Sequence, residues 1–128
     1  MSEKIEIFRM ASALMEHSAT RQGVLAQNIA NSDTPGYRAR DLGGFRELYQ
    51  SDGAGTGLRA TRTRHLNGTT SIYSSSIAES ESNIANPNGN TVSLEEEMMK
   101  AVDAQRQHQR AVTIYKSSLG ILRSALGR

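Results

Sequence analysis

The residues best suited to metal binding or proton transfer are His17, His65 and His108, and they sit in three different segments. No second histidine or carboxylate stands at ligand spacing from any of them. Asp103 and Gln107 lie near His108 without completing a recognisable ligand set. The three read as solvent-facing or seam-filling side chains. Gly53-Ala54-Gly55-Thr56-Gly57 has the glycines of a phosphate loop. It lacks the Gly-Lys-Ser/Thr ending and a preceding apolar strand, so it reads as a linker. The serines are many, but none sits in a nucleophile elbow. Glu95-Glu96-Glu97 could pair carboxylates for acid–base work, yet no rigid walls surround it in sequence. Negative charge at a helix start explains it better. No catalytic, metal or cofactor site is expected.

Six arginines, Arg38, Arg40, Arg46, Arg59, Arg62 and Arg64, gather in the middle of the chain. They could meet phosphate or an acidic protein face, or lie on a solvated loop. Tyr37, Phe45 and Tyr49 interleave with them, but no sheet platform for stacked bases is visible. Nucleic acid and small-molecule substrates are therefore not expected partners. Net charge is only +2, and there is no cysteine, which excludes disulfides and thiolate metal sites. No apolar run approaches the ~18 residues of a membrane span. Nor does an apolar core region of the kind found in cleaved signal peptides follow the N-terminus.

The elements that would position anything are three. Residues 1–34 carry a helical stripe of Ile7, Ala11, Leu14, Ser18, Leu25 and Ile29, extended by Phe8 and Met15. The stripe is thin, and Gly23 inside it costs roughly 1 kcal/mol relative to alanine. Asn31 is a candidate left-handed cap. Thr34-Pro35-Gly36-Tyr37 then forces a sharp turn, because proline presets φ and glycine tolerates its positive values. Residues 35–90 are broken by Gly43, Gly44, Gly53, Gly55, Gly57, Gly68 and Gly89. They read as an extended, flexible or partner-ordered segment, with brief strands at 58–61 and 70–73 at most. Residues 91–128 open on Ser93, an N-cap candidate whose capping box Glu96 would complete. Three- and four-residue steps then run through Met98, Ala101, Gln105, His108, Val112, Tyr115, Leu119, Leu122 and Leu126, the pattern of a coiled-coil seam. The fold class expected is mainly α. Two long terminal helices pack as a coiled-coil-like pair, joined by a Gly/Ser-rich middle with at most short β segments.

The stretch Leu25-Ala26-Gln27-Asn28-Ile29-Ala30-Asn31-Ser32-Asp33-Thr34-Pro35-Gly36-Tyr37-Arg38 closely resembles the signature of the flagellar rod and hook axial proteins. In that signature a helix ends in Asn-Ile-Ala-Asn, followed by a polar turn and Thr-x-Gly-Tyr-basic. Ala39-Arg40-Asp41-Leu42, Thr63-Arg64-His65-Leu66 and Gly89-Asn90-Thr91-Val92-Ser93-Leu94-Glu95 narrow the resemblance to the proximal rod, FlgB type. Asn28, Asn31, Thr34, Pro35, Gly36 and Tyr37 are the turn motif it points to. The resemblance implies a structural subunit, not an enzyme, of the basal-body rod. It implies export without a cleaved signal and assembly in the periplasm. It also implies contacts with other rod proteins, a rod–ring adaptor of the FliE type, the membrane-ring protein and copies of the chain itself. Candidate packing residues are Ile7, Leu14, Leu25, Ile29, Val112, Tyr115, Leu119 and Leu122. A soluble coiled-coil adaptor or export chaperone would share the heptads and is the alternative.

Overall fold

The computed structural model of the chain describes residues 2–54, 76–80 and 84–127. Its elements run α1 (Ser2–Ala30), β1 (Arg40–Leu42), α2 (Phe45–Ala54), β2 (Ile77–Glu79) and α3 (Leu94–Ala125). The terminal helices α1 and α3 lie along each other, and three contacts give their direction. Phe8 meets Tyr115, Ser18 meets His108, and Asn28 meets Glu97. As one number rises the other falls, so the pair is antiparallel. At 1.5 Å per residue, α3 is ~48 Å long. A compact chain of this size has a radius of gyration of only about 14 Å. Among the described residues the fold is therefore a long hairpin with β1, α2 and β2 set against α1.

Small side chains explain how two helices with so few large apolar residues can pair. Ala11, Ser18 and Leu25 of α1 are buried at seven-residue spacing, and so are Glu97, Ala104 and Ala111 of α3. Alanine and serine let the backbones approach, and close contact along the whole length replaces a bulky core. The seam on α3 is accordingly rotated from the one drawn through its larger side chains. Met98 and Leu126 are 56% and 76% exposed, and Gln105 is exposed as well. His108, Val112, Tyr115, Leu119 and Leu122 flank the buried line at intermediate exposure. Ranking helix positions by apolar bulk favours the flank over the contact line, because close packing here is carried by small residues.

The middle departs from the expected extended chain. Residues 45–54 form a helix after Gly43-Gly44, and the Leu48 amide donates to the Gly44 carbonyl at 3.1 Å. The stretch Phe45-Arg46-Glu47-Leu48-Tyr49-Gln50 is free of glycine, and its Phe45 and Tyr49 rings stack one turn apart with centroids 5.3 Å from each other. Gly43 and Gly44 precede this helix, and Gly53 falls in its last turn. β1 and β2 pair antiparallel, with Asp41 opposite Ala78. The strand positions expected at 58–61 and 70–73 lie outside the described residues.

A second, minor core holds this middle against α1. Val24 and Leu42 are buried together, with Leu48 and Ile77 packed on them. The Arg21 guanidinium grips Asp41 through both carboxylate oxygens, at 3.0 and 3.1 Å. His17 is buried; its Nε2 donates to the Gly43 carbonyl at 2.9 Å and its ring meets Phe45 edge-on. The α3 N-terminus also differs from expectation. Ser93 occupies the N-cap with extended backbone, but its side chain makes no capping bond. Glu96 pairs forward with Lys100 at 3.3 Å instead of reaching back.

Candidate functional site

The densest chemistry among the described residues is where α1 ends, the chain turns, and α3 begins. Asn28 is fully buried on the last turn of α1. Its Nδ2 donates to the Arg40 carbonyl at 2.6 Å and to Glu97 Oε2 at 2.9 Å. Its Oδ1 accepts from the Tyr37 hydroxyl and the Arg40 amide, each at 3.1 Å. An asparagine amide has two protons and two lone pairs, and all four are used. A single side chain thus ties α1 to the turn, to β1 and to α3. Glu97 is 1% exposed. Burying its charge is tolerable because Asn28 holds one oxygen and Lys100 Nζ lies 3.5 Å from the other. Reading Glu97 only as helix-start electrostatics misses this contact.

The turn itself is closed from the other side. α1 tightens at its end, with the Ser32 amide donating to the Ile29 carbonyl and the Thr34 amide to that of Asn31. Asn31 turns its side chain back to the Gln27 carbonyl, 2.8 Å away, and its Oδ1 accepts from Thr34 Oγ1. Pro35 and Gly36 occupy the two central turn positions, and the Tyr37 amide closes on the Thr34 carbonyl at 3.3 Å. Gly36 has φ of 75°, the conformation the second central position of a type II turn demands. Asn90, buried ahead of α3, holds the turn beyond α1: its Nδ2 lies within 2.9 Å of the Asn31, Ser32 and Thr34 carbonyls. Its Oδ1 accepts from the Val92 amide at 2.7 Å.

Backbone pairing completes the joint. The Gly36 amide donates to Asn88, the Thr91 amide to Tyr37, and the Ala39 amide to Thr91 Oγ1. Gly89 also has positive φ, and a Cβ on it would lie 3.4 Å from the Gly36 Cα. Two glycines therefore face each other where the strands of the turn cross.

The expected packing residues are distributed unevenly. Leu25 is fully buried in the hairpin, while Leu14, Ile29, Val112, Tyr115, Leu119 and Leu122 are half-buried. Ile7 is 46% exposed and stays largely outside the seam. Away from the joint, the hairpin carries bare apolar side chains: Ile5, Met10, Ile114 and Ile121 are 45–58% exposed. Glu97 is expected from the sequence only as helix-start charge and Asn90 only as part of the run before the last helix; neither contact is foreseen. The signal was the Gly-Asn-Thr run before the last helix, which reads as an ordinary loop until its partner carbonyls are known. Among the described residues no group of three or more metal-type ligands converges, and no helix is long and apolar enough to cross a membrane. Of the six arginines, Arg38 pairs with Glu79 at 3.7 Å on an exposed surface, and Arg40 and Arg46 are exposed. Arg59, Arg62 and Arg64, and with them His65, lie outside the described residues.

Comparison with known proteins aligns this joint with a family. The family described as flagella basal body rod protein matches residues 11–38, most of α1 and the turn. The chain is 33% identical over 120 residues to the flagellar basal body rod protein FlgB of Agrobacterium fabrum, covering 90% of this chain and 88% of that one. It is 32% identical over 123 residues to FlgB of Escherichia coli, covering 88% of each. To FlgB of Salmonella typhimurium it is 32% identical over 110 residues, covering 79% of this chain and 78% of the other.

Proposed function

The chain belongs to the flagellar basal body rod protein family, and from that premise we propose that it is a proximal-rod subunit that polymerises through its paired terminal helices. As a rod protein it is a structural component of the basal body, not an enzyme. The observation that carries the polymer reading is the apolar surface left on the hairpin. Ile5, Ile7, Met10, Ile114, Ile121 and Leu126 are 45–76% exposed. On this reading these exposed side chains are where another molecule makes contact. Rows of such helices, packed by repeated contacts that do not close, make a tube. The helices would then line the export channel and carry torque, while the joint at Asn28 turns the middle away from the tube wall.

Expected neighbours are other rod proteins, a rod–ring adaptor of the FliE type and the membrane-ring protein. On this reading the subunit stands in the periplasm, reached without a cleaved signal. A thin helical seam suits that route, since such a chain loses little by travelling unfolded. The test is complementation of a strain lacking its own proximal rod protein of this type. Ile5→Asp with Ile121→Asp, both outside the buried seam, should abolish swimming while the chain is still made. Normal swimming by that double variant would contradict assembly through these faces.

A further inference from the structure

The buried line between α1 and α3 repeats itself. Ala11, Ser18 and Leu25 face Glu97, Ala104 and Ala111, each set at seven-residue spacing. A slide of seven residues, ~10.5 Å along the axis, puts one heptad where the next one was. Slid one way, Leu25 and Ser18 would meet Ala104 and Ala111; slid the other, Ala11 would meet Ala104 and Ser18 would meet Glu97. Apolar packing alone therefore discriminates poorly between the observed alignment and its neighbours, as in any regular heptad seam. The polar contacts do not repeat. Slid one way, Asn28 comes opposite Ala104 and Glu97 passes beyond the end of α1. Slid the other way, Glu97 comes opposite Arg21, whose guanidinium is already held by Asp41. In both cases the Asn28–Glu97 bond and the Ser18–His108 bond are lost, and Asn90 leaves the carbonyls of Asn31, Ser32 and Thr34.

We infer that Asn28, Glu97 and Asn90 form a register lock, selecting one of several alignments that the small-residue seam permits. A buried polar group without a partner is costly, whereas an apolar pair in its place is tolerated in many alignments. A single buried polar position fixing register is a role with physical precedent in coiled coils. Here the lock sits at one end of the hairpin, beside the turn, so it also fixes how far every exposed apolar residue lies from the joint. The inference rests on the packing of this chain alone, and stands or falls separately from assembly into a rod.

The chain has no cysteine, which makes disulfide trapping a clean readout. Ser18→Cys with His108→Cys reports the observed alignment, since the native side chains are 3.2 Å apart. Ser18→Cys with Tyr115→Cys, or with Ala101→Cys, reports a slide in either direction. Disulfides form only when the two Cα atoms are within about 7 Å, so the three pairs do not overlap. In the purified full chain with the lock intact, the first pair should cross-link about tenfold faster than the others, the preference one unpaired buried group can sustain. With Asn28→Ala, Asn90→Ala and Glu97→Leu together, the slid pairs should rise to within about threefold of the first, at unchanged helix content by circular dichroism. Glu97→Gln, which keeps an acceptor for Asn28, should retain the original preference. Three results overturn the lock: no preference in the intact chain, an unchanged preference in the triple variant, or loss of helix in that variant.

Discussion

The two ends of the hairpin are built by opposite rules. At the joint, polar side chains are buried and matched: Asn28 uses all its hydrogen-bonding capacity, Asn90 covers three carbonyls of the turn, and Glu97 has two partners. At the free end, Ile5, Ile7, Ile121 and Leu126 are 46–76% exposed. The joint matches its buried polar groups within the chain, while apolar side chains stay exposed at both ends, Met98 and Met99 beside the joint among them. A substitution at the joint should therefore act on the isolated chain, and one at the free end should act on assembly.

Asn28→Asp offers the largest separation of the two ends. It turns a donor aimed at Glu97 into a second buried carboxylate, and should cost about 3 kcal/mol or more in urea unfolding of the full chain. Adding Glu97→Gln reverses the donor and acceptor and should restore much of that loss; no restoration would mean the pair is not what Asn28 contributes. Gly36→Val comes next. A β-branched residue at φ of 75° should lower stability by about 2 kcal/mol, and a cost near zero would show that the turn can adopt another shape. Arg21→Ala should cost about 1 kcal/mol through loss of the bidentate bond to the partly exposed Asp41. Ile121→Asp marks the other side of the comparison. It should leave unfolding of the isolated chain within about 0.5 kcal/mol and yet stop swimming. Ser93→Ala should be the mildest, also within about 0.5 kcal/mol, because no capping bond is lost.

The same contrast governs how much the sequence revealed. Helix existence was legible because three- and four-residue steps and the glutamates ahead of Met98 announce α3 regardless of what it touches. The turn was legible because Pro35 and Gly36 restrict their own backbone. The seam was only partly legible: Leu25 and the half-buried Tyr115 and Leu122 stand out by bulk, while Ala104 and Ala111 do the packing by lacking it. The joint was the least legible. Asn28 lies within a recognisable motif, but its partners Arg40 and Glu97 are 12 and 69 residues away. Nothing local to Asn90 says that it faces three carbonyls from another part of the chain. Helix α2 was obscured for a simpler reason, since the glycines that mark its borders also suggest its absence.

Amide hydrogen exchange on the isolated full-length chain tests the difference between the two ends most directly. Amides around the joint, from Leu25 to Ala30 and from Glu97 to Ala104, should be protected, while those of residues 3–10 and 118–125 should exchange much faster. Uniform protection along both helices would show that the free end needs no neighbour, and would contradict the account.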